Sequence, residues 1–142
     1  MLGRFVLTGA TLIVMGAAPA MAGQFGLIHW LYHKCDEMGK SSQCAVQIVH
    51  GNNNFAMTEQ VTGHRRGTQF ALTVQKGDGN VAYTGQVGKN QLSLTVQNGN
   101  DNGAFTYQEG KYNYSQTIQN TNGSWAATSS IGNGTYTSVV IE

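Results

Sequence analysis

From about residue 71 onward, polar and apolar positions alternate with a period of two, the mark of a β-strand. Ala71, Thr73 and Gln75 fall in one phase and Leu72 and Val74 in the other. The pattern returns as Ala82, Thr84, Gln86 against Val81 and Tyr83, then Ser93, Thr95, Gln97 against Leu92, Leu94 and Val96. Ala104, Thr106, Gln108 against Phe105 and Tyr107, and Ser115, Thr117, Gln119 against Tyr114 and Ile118, complete the regular part. Successive threonines, Thr73 to Thr128, are eleven residues apart. Glycine-rich clusters such as Lys76-Gly77-Asp78-Gly79-Asn80 separate the strands and favour tight turns.

The turns are of two kinds, and they alternate. Gly77-Asp78-Gly79-Asn80 and Gly99-Asn100-Asp101-Asn102 are rich in Asn and Asp, whereas Gly88-Lys89 and Gly110-Lys111 carry lysine. The structural unit is therefore a 22-residue coil of strand, turn, strand, turn, which gives one strand to each of two facing sheets. Ala45, Gln47, Val49 and Ala56, Thr58, Gln60 form an earlier coil, displaced by four extra residues near Thr62 to Gly67. Ala126 and Thr128 continue the rhythm, and Thr137, Val139 and Ile141 form a last strand. The expected fold is all-β: a β-solenoid of about four such coils plus a final strand. Turn glycines are expected at Gly51, Gly77, Gly88, Gly99, Gly110 and Gly132.

The first residues follow a different rule. Arg4 precedes an apolar run from Phe5 to Val14, and Ala20-Met21-Ala22 has the small-x-small form of a cleavage site. Residues 1–22 read as a secretory signal peptide, too short to span a bilayer, with the mature chain starting at Gly23. Residues 23–44 read as an export or anchor segment, and 45–142 as the repeat domain. Without Arg4 the chain has seven basic and seven acidic residues (eight minus one against seven). That neutrality gives no electrostatic argument for nucleic acid, and it removes the self-repulsion that keeps many proteins apart. The Gly-, Asn-, Gln-, Ser- and Thr-rich composition also suits low-complexity disorder, but disorder has no need to hold threonine and glutamine in phase.

Gln75-x-Gly77-x-x-Asn80-x-Ala82-x-x-x-Gln86 recurs as Gln97-x-Gly99-x-x-Asn102-x-Ala104-x-x-x-Gln108, with a looser copy from Gly51 through Asn54 and Ala56 to Gln60. The pattern resembles the curlin repeat of curli, the extracellular amyloid fibres of bacteria, over roughly residues 45–142. The resemblance implies a subunit exported unfolded through an outer-membrane secretion channel and polymerised with itself, aided by a nucleator subunit, for biofilm matrix and surface adhesion. It assigns Gln60, Gln75, Asn80, Gln86, Gln97, Asn102, Gln108 and Gln119 to a stacking ladder. Such amides hydrogen-bond along a stack of strands about 4.8 Å apart. Two features depart from the family: the face in phase with the glutamines carries Ala, Ser and Thr rather than apolar residues, and there is a cysteine pair.

Cys35 and Cys44 are the only cysteines, so in a secreted chain a disulfide is the default expectation. A metal set of His29, His33, Cys35 and Cys44 matches no zinc spacing, and no metal or cofactor is expected. No catalytic motif is present, so an enzyme is not expected either. The rival function is a soluble solenoid that presents its threonines as a flat array for ice or glycan. The phase of the threonine column separates the two, since a ladder needs it indoors and a binding array needs it outdoors.

Overall fold

The computed structural model describes residues 10–15, 43–62 and 67–142. The alternating segments form parallel strands: β1 (Ala10–Met15), β2 (Gln43–His50), β3 (Phe55–Val61), β4 (Gln69–Lys76), β5 (Val81–Lys89), β6 (Gln91–Asn98), β7 (Gly103–Lys111), β8 (Tyr114–Gln119), β9 (Trp125–Asn133) and β10 (Tyr136–Ile141). They build two sheets, ordered β1-β2-β4-β6-β8-β10 and β3-β5-β7-β9. From β2 onward the chain changes sheet at every turn. The result is the expected solenoid, with four coils (β2–β3, β4–β5, β6–β7, β8–β9) and a final strand.

Register follows from the repeat. In one sheet Thr73, Thr95 and Thr117 lie side by side, as do Gln75, Gln97 and Gln119. In the other the columns are Thr58–Thr84–Thr106–Thr128 and Gln60–Gln86–Gln108–Ser130. Stacked partners are 22 residues apart in the regular coils and 26 apart between the first two, a difference of four. The four extra residues fall in the connection between β3 and β4, where insertion leaves the strand register intact.

The alternation also settles which face is inside. Thr73, Gln75, Thr84, Gln86, Thr95, Gln97, Thr106, Gln108, Thr117 and Gln119 are buried between the sheets, with Ala71, Ala82, Ser93, Ala104 and Ser115 beside them. Small side chains let two sheets approach to about 10 Å. The apolar residues in the opposite phase point outward. On the outer face of β2 and β4, Cys44, Val46, Ile48, Phe70 and Leu72 form a buried apolar cluster, against which Val74, Leu92 and Leu94 pack.

One strand was not expected. Within the apolar run read as a signal peptide, residues 10–15 form β1, which pairs with β2 from Ala10 opposite Cys44 to Met15 opposite Val49. Residues 23–42 lie outside the described residues.

The six expected turn glycines, Gly51, Gly77, Gly88, Gly99, Gly110 and Gly132, all have φ between 116° and 133°. At Gly77 the constraint is double: φ is +116°, and an added Cβ would collide with the carbonyl of Gly99 in the next coil. Gly123 also has positive φ, at +67°, but nothing lies within 4 Å of an added Cβ there. Gly77→Ala should therefore cost at least about 2 kcal/mol, and Gly123→Ala about 1 kcal/mol. Chemical denaturation of the two variants measures the difference, and equal losses would contradict the close coil-to-coil contact.

Candidate functional site

The interior of the solenoid carries the only extended arrangement of functional side chains among the described residues. It begins with glutamine, whose amide has two donors and an acceptor with two lone pairs. Gln60 donates from Nε2 to Gln86 Oε1 at 2.7 Å, and Gln86 donates likewise to Gln108 at 2.7 Å. In the facing sheet Gln75 donates to Gln97 at 2.8 Å, and Gln97 to Gln119 at 3.1 Å. All the bonds run the same way, each amide donating toward the C-terminal end.

The second N–H of each amide crosses the core. Gln60, Gln86 and Gln108 reach the carbonyls of Cys44, Phe70 and Leu92, at 3.2, 3.2 and 3.0 Å. Gln75, Gln97 and Gln119 reach back to those of Phe55, Val81 and Gly103, at 2.9, 2.9 and 3.0 Å. One residue type thus ties each coil to the next and each sheet to its partner.

Asparagine does the same work at the turns. Asn80 Nδ2 donates to the Gly99 carbonyl at 2.8 Å and Asn102 Nδ2 to that of Thr121 at 2.6 Å. Their Oδ1 atoms accept from the backbone N–H of the next stacked residue, Asn102 and Ser124. Outside the core, Asn100 Oδ1 accepts from the Asp78 N–H at 2.8 Å, and Asn122 Oδ1 from the Asn100 N–H at 2.7 Å. These bonds satisfy turn N–H groups that the sheets leave over.

A further buried column was missed from the sequence. Gln69 donates to Gln91 Oε1 at 2.9 Å, Gln91 to the Val87 carbonyl at 3.0 Å, and Asn113 to the Glu109 carbonyl at 2.8 Å. All three are buried. They sit at the strand entrances, which read from the sequence as turn. The signal was available, because residues 69, 91 and 113 follow the same 22-residue spacing.

The ladder is incomplete at its first rung. Val49 stands where the pattern has glutamine, opposite Gln75, and the buried Gln75 Oε1 accepts no hydrogen bond. The hydroxyls of Thr84, Ser93 and Thr95 are likewise buried without partners, whereas Thr106 and Thr128 are joined at 3.1 Å. The threonine column is therefore interior packing rather than an outward hydroxyl array.

The outer faces carry aromatic stacks instead. Tyr83 and Phe105 stack at 5.1 Å with 9° between planes, and Tyr114 and Tyr136 at 5.0 Å with 1°. The Tyr83 hydroxyl bonds Glu59 at 3.1 Å. Burial, then this carboxylate, raises its pKa above the ordinary tyrosine value. Large apolar side chains lie exposed near both ends: Phe55 at the first coil, and Trp125, Ile131 and Tyr136 at the last.

Cys44 is buried and disulfide-bonded. Cys35 lies outside the described residues, as do His29 and His33 of the metal reading. Among the described residues, no group of His, Cys, Asp and Glu could hold a metal ion. No helix among them is long and apolar enough to cross a membrane. Compared with known proteins, the chain matches no protein-family model and no curated protein.

Gln97→Ala removes donors to Val81, Asn102 and Gln119 and the acceptor for Gln75, all within the core. It should cost about 3 kcal/mol, since each buried group left unpaired costs on the order of 1–3 kcal/mol. Lys111→Ala, at an exposed position, should stay within about 0.5 kcal/mol. Val49→Gln restores a donor opposite Gln75 Oε1 and should stabilise by about 1 kcal/mol. Urea midpoints of the three variants test the ladder, and a Gln97→Ala loss no larger than that of Lys111→Ala would refute it.

Proposed function

We propose that the chain is a structural, non-enzymatic subunit that stacks end to end with copies of itself, so that the solenoid axis becomes a fibre axis. The observation that carries this reading is the pair of open ends. The coils are bounded by strands whose outer edges pair with nothing among the described residues: β1 and β3 at one end, β9 and β10 at the other. Soluble proteins commonly blunt such edges with charge, proline or a cap. Here β10 (Tyr-Thr-Ser-Val-Val-Ile) contains neither charge nor proline, and apolar side chains crowd the ends.

The curlin-like spacing of Gln, Gly, Asn and Ala supports a finer version of the reading. In it, residues 1–22 direct export, a curli-type channel carries the chain across the outer membrane, a nucleator subunit starts polymerisation, and the fibre serves biofilm matrix and adhesion outside the cell. With no family match, this finer version rests on the repeat residues alone.

A second reading draws on the same regular stacking. A soluble solenoid offers flat sheet faces whose columns repeat at strand spacing, and such a face suits ice or a glycan. The threonines point inward, so the array would come from outward columns such as Met57–Tyr83–Phe105. Exposed aromatic rings suit the apolar faces of sugars.

Incubation of the chain from Gly23, followed by amyloid-dye fluorescence and fibre diffraction, separates the readings. The fibre reading expects a reflection near 4.8 Å. It also expects assembly to slow far more with Gln97→Ala and Gln108→Ala together than with Lys111→Ala. A chain that stays monomeric for days, and whose glycan or ice binding is abolished by Tyr83→Ala with Phe105→Ala, would establish the second reading instead.

A further inference from the structure

The number of strands constrains how one copy can meet another. From β2 to β10 there are nine strands, five in one sheet (β2, β4, β6, β8, β10) and four in the other (β3, β5, β7, β9). The run of strands from β2 to β10 is therefore half a coil out of step between its first and last members. If a second copy joined like sheet to like sheet, with its β2 against β10, its β3 would lie one strand spacing beyond the edge of β9. Each junction would then hold a missing strand, with the facing backbone groups of β9 and β3 unpaired at the heart of a fibre.

A half-turn about the fibre axis removes that gap. The second copy's β2 then continues the sheet that ends in β9, and its β3 continues the sheet that ends in β10. Both edges find partners and none is left over. The sequence allows this because the two halves of each coil are nearly equivalent: the small residue, threonine and glutamine recur every eleven residues as well as every 22. The interior positions meet as Ala126, Thr128 and Ser130 against Ala45, Gln47 and Val49, and as Thr137, Val139 and Ile141 against Ala56, Thr58 and Gln60. Outside, Tyr136 meets Phe55. Tyr136 already stacks on Tyr114 at 5.0 Å, and both Tyr136 (66%) and Phe55 (55%) are exposed in the single chain. The junction extends an existing aromatic column and covers two of the larger exposed apolar side chains.

We infer that copies of this chain join in half-coil register, β9 to β2 and β10 to β3, so that consecutive subunits are related by a half-turn. The inference rests on the self-assembly reading above. One element stands in its way. Strand β1 pairs with β2 along Cys44 to Val49, which is the edge that β9 of the neighbouring copy needs. A chain that keeps β1 in place presents β1 rather than β2 at that edge, beside β3, and loss of residues 1–22 uncovers β2.

A photo-crosslinking residue, benzoylphenylalanine, at position 136 tests the register, with heavy- and light-isotope copies mixed to identify crosslinks between chains. Three proteins are compared: the full chain, the full chain with Ile13→Pro, which removes a backbone donor from β1, and the chain from Gly23. Sedimentation scores assembly in each. In assembled material of the last two, the expected intermolecular crosslink is to residues 55–61. A crosslink to residues 43–50 means like sheet has met like sheet and overturns the half-coil register while leaving self-assembly standing. The full chain should crosslink at least about tenfold less, the effect of some 1.4 kcal/mol of lost junction stability. Equal yields from all three overturn the role given to β1. If no version assembles, self-assembly itself fails and the inference falls with it.

Discussion

A buried side-chain amide has to find partners for two N–H groups and an oxygen, and the rest of this structure depends on that requirement. In most cores the partners come from unrelated parts of the chain. Here one N–H and the oxygen are met by copies of the same residue one strand away, since strands in register repeat at about the spacing of hydrogen-bonded amides, and the second N–H is met by a backbone carbonyl of the facing sheet. Gln75, Gln86, Gln97, Gln108 and Gln119 are buried without exposure, and most bond both along the stack and across it. A one-residue slip in any strand would turn its glutamine to the outside and leave its neighbours unpaired. Strand length, the 22-residue period and the small residues beside the ladder all serve to prevent that slip.

The arrangement inverts the usual distribution of polarity. The interior holds Ala, Ser, Thr, Gln and Asn, while Leu, Val, Phe, Tyr and Trp lie in the outward phase. Apolar burial therefore contributes less between the sheets than in an ordinary sandwich, and more on the outer face of β2 and β4, where Cys44, Val46, Ile48, Phe70 and Leu72 are covered. Elsewhere the outer face stacks in columns: Tyr83 on Phe105 and Tyr114 on Tyr136 each hide one ring face against the next coil. Outward apolar residues that would be a liability on an isolated strand gain partial cover from repetition alone.

Strand phase, the alternation of turns and the two-sheet solenoid were all legible in the sequence, because each is a property of spacing and the spacing is strict. Which face lay inside was not. Thr73 and Leu72 alternate equally well either way, and only the tie of Gln97 to Gln119 along the stack and to the Val81 carbonyl across it decides the matter. The column of Gln69, Gln91 and Asn113 escaped for a different reason. Residues beside glycine-rich turns read as solvated, yet the solenoid closes over its corners and buries them. Strand β1 escaped because an apolar run that suits a signal peptide suits a sheet edge equally well.

The direction of the ladder bears on where a fold of this kind can stop. Every glutamine-to-glutamine bond is donated toward the C-terminal end, so each rung needs an acceptor from the next coil. Gln119 has none there: Ile141 occupies the stacked position, and Gln119 turns instead to the carbonyl and hydroxyl of Ser124. Gln108 faces Ser130 and keeps its bond across the core to the Leu92 carbonyl. At the other end, Val49 offers no donor to Gln75. The side-chain ladder thus stops at Gln108 and Gln119, short of the last strands, and begins at Gln75 and at Gln60 on the edge strand β3, while the backbone edges of β3, β9 and β10 stay open. Two tasks fall to two sets of groups. Glutamine and asparagine hold the coils of the chain together, and in the assembly proposed above the joining of copies would be left to backbone hydrogen bonds and to apolar side chains such as Phe55 and Tyr136. Such a division would let the chain be stable on its own account and the proposed junction be tuned separately, by changing the end strands without touching the ladder.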